Sequence, residues 1–211
     1  MYLHLYMGVI VPLGILLPLT IALRRYKYLP VALKWFIGYL LLGVLTNVIV
    51  KTLATQGINN MPVFHVYTIL EFSLLSIFFR QLFFRRLHLI LPIIAVVFTV
   101  FCLTNMLLWQ PISEYNSYSR SAEAILIMVY AIIYFKEALD DQHAIPQKLT
   151  VTWINAGLLL YFSGSLFLFI CGNYILANVS LNTIIWNIHA SMVLLMYILF
   201  AVGFYYAKRT V

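Results

Sequence analysis

The sequence contains few charged residues for its length. Lys, Arg, Asp and Glu make up 9% of its 211 residues, whereas apolar residues make up 64%. In soluble globular domains about a quarter of the residues are charged, so this composition excludes an ordinary soluble domain. The sequence therefore predicts an integral membrane protein whose main partner is the lipid bilayer.

The sequence also lacks the marks of several common functional classes. It has two cysteines, Cys102 and Cys171, which we predict to be free, since free cysteine is usually a small buried hydrophobe. It has no HExxH motif or other clustered spacing of metal ligands. The longest connections between apolar runs, 109–118 and 137–149, are too short to fold as soluble domains. Any activity must therefore lie within the helices or depend on partners.

Seven long apolar segments organise the chain. A helix that crosses a bilayer needs about 20 apolar residues, and each segment approaches or exceeds this length. The predicted helices are approximately 3–23, 32–50, 62–79, 88–108, 119–136, 150–172 and 183–207. We therefore predict an all-α membrane protein with a single seven-helix transmembrane domain over residues 1–211.

The basic residues are concentrated in alternate connections. Eleven of the thirteen Lys and Arg residues lie at the first, third and fifth connections or after the last helix, and only Lys51 and Arg120 lie on the other side. Because short loops rich in Lys and Arg stay in the cytoplasm, the N-terminus is predicted outside and the C-terminus in the cytoplasm. The net charge of +7 is then a topology signal, and no nucleic-acid partner is expected. The predicted location is the inner membrane of a bacterium.

Two stretches of the sequence are similar to each other. KWFIGYLLLGVL begins at Lys34, TWINAGLLLYFS begins at Thr152, and both place a Trp ahead of a Leu-Leu-Leu run. They predict two three-helix repeats on either side of a central helix, a type of arrangement that occurs in transporters. The alternative is chance similarity, because Trp marks membrane interfaces and Leu is common in membrane helices.

Glu71 is the most costly residue in the predicted helices. It lies about eight residues into the third helix, or roughly 12 Å along the axis, towards the centre of a hydrocarbon layer about 30 Å thick. Such a carboxyl group must face a cavity, pair with a donor or keep its proton. Tyr67 precedes it by four residues and shares its face. We interpret Glu71 as a ligand anchor or acid–base group, with a structural strut between helices as the alternative.

Further polar side chains are predicted in the outer half of the helices. Glu123 shares a helical face with Tyr130, although Arg120 offers Glu123 a simple local ion pair near the water boundary. The other candidates are Asn47 in the second helix and Asn187 and His189 in the seventh. If they converge, these residues line a binding pocket that opens to the outside.

Three histidines are predicted at or near the outer ends of helices. They are His4, His65 and His189. Neutral imidazoles on separate helices could hold zinc with an open position for water. No motif supports such a site, so histidines at the interface or in hydrogen bonds are the favoured interpretation.

The helix plan resembles those of known membrane-protein families. The three-one-three arrangement is similar to that of sugar and vitamin transporters, but the Pro-Gln pair typical of one such group occurs here only in a loop, at Pro146 and Gln147. The number of helices and the scattered His and acidic residues are similar to those of alkaline ceramidases and adiponectin-type receptors, a resemblance that implies a zinc-dependent hydrolase. The paired His of their last helix are missing here. A retinal protein is excluded, because 183–207 contains no lysine for a Schiff base.

These features lead to one functional hypothesis and two alternatives. The hypothesis is a membrane protein that binds a small or amphiphilic molecule in an outward-facing polar pocket, as a receptor or sensor or as a small transporter. Glu71 would be its anchor, and a receptor would need a separate signalling partner at the cytoplasmic face. The alternatives are an intramembrane lipid-modifying enzyme, with or without a metal, and a structural membrane subunit.

Overall fold

In a computed structural model of the chain, residues 5–83, 86–139 and 148–207 are described. In these ranges the protein is helical and contains no strand. Six helices are long and apolar enough to cross a membrane, so the prediction of an all-α, multi-pass membrane protein is confirmed. His4 and the basic residues at 85, 208 and 209 fall outside the described residues.

Seven long helical stretches follow one another in the described chain. They are α1 (Tyr6–Arg24), α2 (Val31–Thr55), α3 (Met61–Arg80), α4 (Arg86–Leu108), α5 (Ser117–Leu139), α6 (Lys148–Ala177) and α7 (Val179–Tyr206). A single turn of 3-10 helix, Tyr26–Tyr28, lies between α1 and α2.

Among these stretches, α5 is not one of the six candidate membrane spans. It carries Arg120, Glu123, Lys136 and Glu137, which lower its mean hydropathy. Arg120 and Glu123 are buried inside the protein, so these two charges do not face lipid. A hydropathy criterion counts charged residues without regard to their partners, so it gives a low value to a helix whose charges are buried.

The first helix, α1, is irregular. Its three consecutive segments are a π-helical turn, Tyr6–Ile10, and two α-helical segments, Val11–Gly14 and Leu16–Arg24. Pro18 has no N–H to donate to the carbonyl of Gly14, and the helix is interrupted at Ile15 between them. Pro12 lies in the first turn of the second segment, where a missing N–H is tolerated.

A tight turn connects α2 to α3. Gly57 has a positive φ of 70°, and the N–H of Ile58 donates to the carbonyl of Leu53 at 2.9 Å. This is a common glycine-terminated helix end. Asn59 then accepts a hydrogen bond from the N–H of Met61 at 2.9 Å, where α3 begins.

The helices pack into a bundle with an aromatic core. α6 packs against both α5 and α7, α2 packs against α3, and α1 packs mainly against α7. The ring of Phe36 lies 5.0 Å from that of Phe78 and 4.9 Å from that of Phe200. These rings occupy the half of the bundle where α2 begins. The opposite half, which carries the connection 109–116 and is called here the 109–116 end, contains most of the buried polar residues.

Candidate functional site

Three charged side chains form a buried cluster near the 109–116 end. Arg120 of α5 makes ion pairs with Glu71 of α3 and with Glu123, which is one turn further along α5. One guanidinium nitrogen, Nη1, donates to an oxygen of each carboxylate. Glu71 is 1% exposed and Glu123 is fully buried. The ion pair predicted between Arg120 and Glu123 is therefore part of a larger cluster in the protein interior.

Aromatic side chains hold this cluster in place. The Tyr67 hydroxyl donates to Oε1 of Glu71 at 3.0 Å. Nη2 of Arg120 donates to the Tyr161 hydroxyl at 3.0 Å, and the guanidinium carbon lies 4.8 Å from the ring centroid of Phe169. Cations above aromatic faces gain more attraction where water is excluded. Arg120 is thus fixed by contacts from α3, α5 and α6.

The cluster contains two acidic groups and one basic group. An unpaired ion in the protein interior costs several kcal/mol, and sharing one guanidinium reduces this cost for both carboxylates. Oε1 of Glu123 has no hydrogen-bond partner in the described part of the chain. A proton or an ordered water would satisfy this oxygen.

A polar cavity of about 170 Å³ lies beside the cluster. It lies between α2, α3, α5, α6 and α7, and Arg120 is the only Lys, Arg, Asp or Glu among the described residues that line it. Aromatic rings form much of its wall: Phe64, Tyr67, Tyr115, Tyr161, Phe169 and Trp186. Glu71 and Glu123 do not line the cavity, so they lie behind Arg120.

The connection 109–116 covers the cavity and is bound to α3. Asn116, which lines the cavity, donates to the hydroxyl of Thr68 at 2.8 Å. Nε2 of His65 lies 3.0 Å from the carbonyl oxygen of Glu114. Asn116 is 1% exposed, although it precedes the first helical residue of α5. The connection is therefore a packed part of the site.

Tyr115 binds the same connection to α6. Its carbonyl accepts a hydrogen bond from Nδ2 of Asn173 at 3.0 Å, and its ring lies directly over Gly172, where a Cβ would come within 2.6 Å of two ring carbons. Burial raises the pKa of the Tyr115 hydroxyl well above its usual range, and nearby Arg120 only partly offsets this effect. Tyr115 is therefore a neutral hydrogen-bonding group at any physiological pH.

His189 forms part of the cavity wall on α7. Its ring centroid lies 5.5 Å from that of Tyr161 and 5.4 Å from that of Trp186. Its Nδ1 lies 2.9 Å from the hydroxyl of Ser165 on α6. This contact fixes the orientation of the imidazole ring.

Several predicted binding residues meet at this site. Tyr67, Asn47 and His189 line the cavity, each from a different helix. Glu71 and Glu123 are one layer behind them, bonded to Arg120. These five residues therefore belong to one connected site.

Two predicted binding residues lie elsewhere. The Tyr130 ring packs 5.5 Å from Phe79, among the rings of the apolar core, and Nδ2 of Asn187 donates to the carbonyl of Thr183 in its own helix at 2.7 Å. Neither lines the cavity. Helical spacing alone gives the relative face of a residue but not which neighbour that face meets.

The sequence interpretation missed the central position of Arg120. It placed this residue at the outer water boundary because the predicted helix begins at 119. The available signal was the number of charges: a basic residue and two carboxyl groups in apolar helices are expected to pair with one another. No sequence signal pointed to Tyr115 or Asn116, which precede the helix.

The histidines do not form a metal site in the described structure. Within residues 5–83, 86–139 and 148–207, no group of three or more His, Cys, Asp and Glu side chains could hold a metal ion. His65 and His189 instead contact Glu114 and Ser165. Cys102 and Cys171 are both free, as predicted.

Two apolar grooves adjoin the cavity. A groove of about 340 Å³ between α1 and α2 shares Asn47 with the cavity, and Leu13 and Val48 in it are more than half exposed. The wall between the two spaces is thin, because a Cβ on Gly43 in the cavity would lie 2.8 Å from the Ile15 side chain in the groove.

The second groove, between α2 and α3, has a volume of about 320 Å³. It shares Thr46 and Tyr67 with the cavity. The polar cavity is thus separated from two apolar surfaces by only a few side chains.

No protein-family model, curated protein or solved structure matches this chain. The class is therefore defined by the molecule itself: a helical, multi-pass membrane protein with a buried ion cluster beside a polar cavity.

Proposed function

We propose that the protein binds a small or amphiphilic molecule in the cavity beside Arg120, as a receptor or small transporter in the inner membrane of a bacterium. The cavity itself is the observation that carries this proposal. Ligand sites are typically concave, mostly apolar and aromatic, and contain a few fixed polar groups. The cavity has this composition, and Arg120 is a cation held in one orientation at its wall.

The proposal includes seven membrane crossings with the N-terminus outside. The length of α5, Ser117–Leu139, and the burial of Arg120 and Glu123 support a seventh crossing. The distribution of Lys and Arg supports the orientation. In this orientation the 109–116 end faces outward, so the cavity lies in the outer half of the protein.

The two carboxyl groups and Arg120 have different roles in this proposal. Arg120 lines the cavity and would contact the ligand, together with Tyr67, Asn47 and His189. Glu71 and Glu123 lie behind Arg120 and would position it. Glu71 therefore anchors the guanidinium rather than the ligand.

The alternatives have less support. A lipid-modifying enzyme that used Glu71 or Glu123 as general acid or base would need the carboxyl group within hydrogen-bond reach of its substrate, whereas neither residue lines the cavity. A purely structural subunit would explain the ion cluster, which connects α3, α5 and α6. It would not explain an aromatic and polar cavity beside the cluster.

Native mass spectrometry of the purified protein tests the proposal. Thr46→Phe places a ring at the cavity wall, and Thr20→Phe makes the same change at an exposed position of α1. We expect a small molecule to be retained by the wild type and by Thr20→Phe but lost in Thr46→Phe. Equal retention by all three proteins would locate the ligand elsewhere, and a folded wild type that carries no ligand after extraction in mild detergent would contradict the proposal.

Liposomes distinguish the two forms of the proposal. After reconstitution, a transporter moves the molecule identified by mass across the membrane, and Thr46→Phe should abolish this flux. A receptor binds the molecule without flux and requires a partner at the cytoplasmic face.

A further inference from the structure

The charge arrangement at the cavity restricts its ligand. Arg120 donates from Nη1 to both Glu71 and Glu123, so the formal charge of the cluster is −1 when both carboxylates are ionised and zero when one holds a proton. An anion at Arg120 would be repelled by two carboxylates directly behind the guanidinium. A cation would lie against the guanidinium itself. An uncharged ligand avoids both costs, and a buried net charge is expensive in any case.

The aromatic wall favours a planar ligand. The rings of Tyr161, Phe169 and Trp186 on α6 and α7 face the same cavity as those of Phe64 and Tyr67 on α3. Aromatic faces and edges pack well against a planar ring. The size of the space, about 170 Å³, suits a compact ring system.

The polar atoms indicate which groups the ring should carry. Nη2 of Arg120 has two hydrogens and makes one hydrogen bond, to Tyr161. Its second N–H can therefore donate to an acceptor on the ligand. Oδ1 of Asn116 has no hydrogen-bond partner in the described part of the chain and can accept an N–H. A carboxamide group provides both an acceptor and a donor.

On the assumption that the proposed function is correct, we infer that the cavity takes an uncharged planar ring with an amide-like polar group. The Arg120 guanidinium binds the acceptor oxygen, Asn116 accepts the N–H, and the ring lies against the aromatic wall. The carboxylates of Glu71 and Glu123 exclude anions by cancelling the charge of Arg120.

Three probes that differ mainly in charge test this inference: benzamide, benzoate and benzylammonium. Trp186 lines the cavity and can report binding by fluorescence once Trp35, Trp109 and Trp153 are replaced by Phe. We expect benzamide to bind at least about tenfold more tightly than either charged probe at pH 7, in nanodiscs of phosphatidylcholine. Tightest binding of benzoate or of benzylammonium would overturn the inference but leave a ligand site in the cavity, so the proposed function would survive.

Variants locate the binding site. Asn116→Ala should weaken benzamide binding by about fivefold, since one hydrogen bond contributes about 1 kcal/mol. Asn187→Ala, which changes an asparagine outside the cavity, should have no effect. Thr68→Val removes the hydroxyl to which Asn116 donates and so loosens the loop without removing Oδ1 of Asn116. If Thr68→Val weakens benzamide binding as much as Asn116→Ala does, the ligand does not contact Oδ1 directly. If none of the probes binds although native mass spectrometry finds a retained molecule, the ring preference is wrong and the proposed function stands.

Discussion

At the scale of single residues, Arg120 is the side chain that joins the two buried carboxylates. It contacts two carboxylates, one tyrosine hydroxyl and the faces of three aromatic rings, those of Tyr67, Phe162 and Phe169. A guanidinium can make these contacts at once because it is planar and has five N–H donors in fixed directions. A lysine ammonium has no such planar fork, so Lys is not an equivalent residue at this position.

Replacement of Arg120 by Met should destabilise the protein strongly. Two carboxyl groups would remain buried without a cation, and removal of one partner of a buried ion pair typically costs about 3–5 kcal/mol. Lys136→Met removes a cation of the same helix from an exposed position and should change stability by less than about 0.5 kcal/mol. Glu71→Gln should have an intermediate effect, because Glu123 still pairs with Arg120. Thermal unfolding in detergent, followed by circular dichroism, measures the order; equal stability of Arg120→Met and Lys136→Met would contradict it.

Residue chemistry explains which parts of the site could be predicted from the sequence. Glu71 and Tyr67 were identified because a carboxyl group deep in a helix requires partners, and the residue four positions away shares its face. The bond from Tyr67 to Glu71 agrees with this reasoning. The pairing of Glu71 with Arg120 joins residues 49 positions apart, and no local spacing encodes such a contact.

At the scale of elements, the connection 109–116 contributes two residues to the cavity wall, beside those of the helices. Tyr115 and Asn116 reach the cavity wall from this connection. The close approach of the Tyr115 ring depends on Gly172, because any side chain at that position would occupy the space of the ring. The glycine and the ring therefore form one packing unit between the loop and α6.

Gly172→Ala should loosen this connection. The added methyl group would lie 2.6 Å from two carbons of the Tyr115 ring, so the ring must move, and such overpacking typically costs about 1–3 kcal/mol. Gly8→Ala is the matched control, since no atom lies within 4 Å of its added methyl group. Hydrogen–deuterium exchange of residues 109–116 should increase in Gly172→Ala and stay unchanged in Gly8→Ala. Unchanged exchange in both would show that the ring can move without releasing the loop.

Element boundaries were predictable where local signals exist. The turn after α2 contains Gly57, whose positive φ suits a helix end, and Pro62 lies in the first turn of α3. The burial of the loop around Tyr115 was not predictable, because its cause is a small residue in a distant helix. Local signals therefore mark the turn between α2 and α3, although the apolar run predicted that the second helix ends at 50, five residues before Thr55.

At the scale of the whole molecule, the number of crossings depends on α5. Six other stretches meet the criteria for a membrane span from length and hydropathy alone, and the composition of 64% apolar residues already predicts such a protein. Whether α5 also crosses the membrane depends on its charged residues, and Arg120 and Glu123 are buried and paired. The burial and pairing of these two charges support the proposed seventh crossing, which hydropathy alone does not indicate.

A topology experiment tests the seventh crossing. If α5 crosses the membrane, reporters fused to the two termini should lie on opposite sides, with the C-terminal reporter in the cytoplasm. Alkaline phosphatase is active only outside the cytoplasm and green fluorescent protein fluoresces only within it, so the pair gives a positive signal for each side. Both termini on one side would indicate six crossings. Insertion of a reporter after Gln56, in the turn at the 109–116 end, should give the signal of the N-terminal side.

The position of Asn47 has a consequence for how affinity should be measured. This side chain borders both the cavity and a groove whose residues Leu13 and Val48 are exposed. A ligand that passes this side chain comes from within the bilayer, where an apolar solute is far more concentrated than in the surrounding buffer. Lipid without protein would also take up the ligand. The apparent dissociation constant, calculated from the total ligand concentration, would therefore rise as more lipid is added at a constant protein concentration. Titrations at several lipid-to-protein ratios would separate the partition coefficient from the intrinsic affinity of the site.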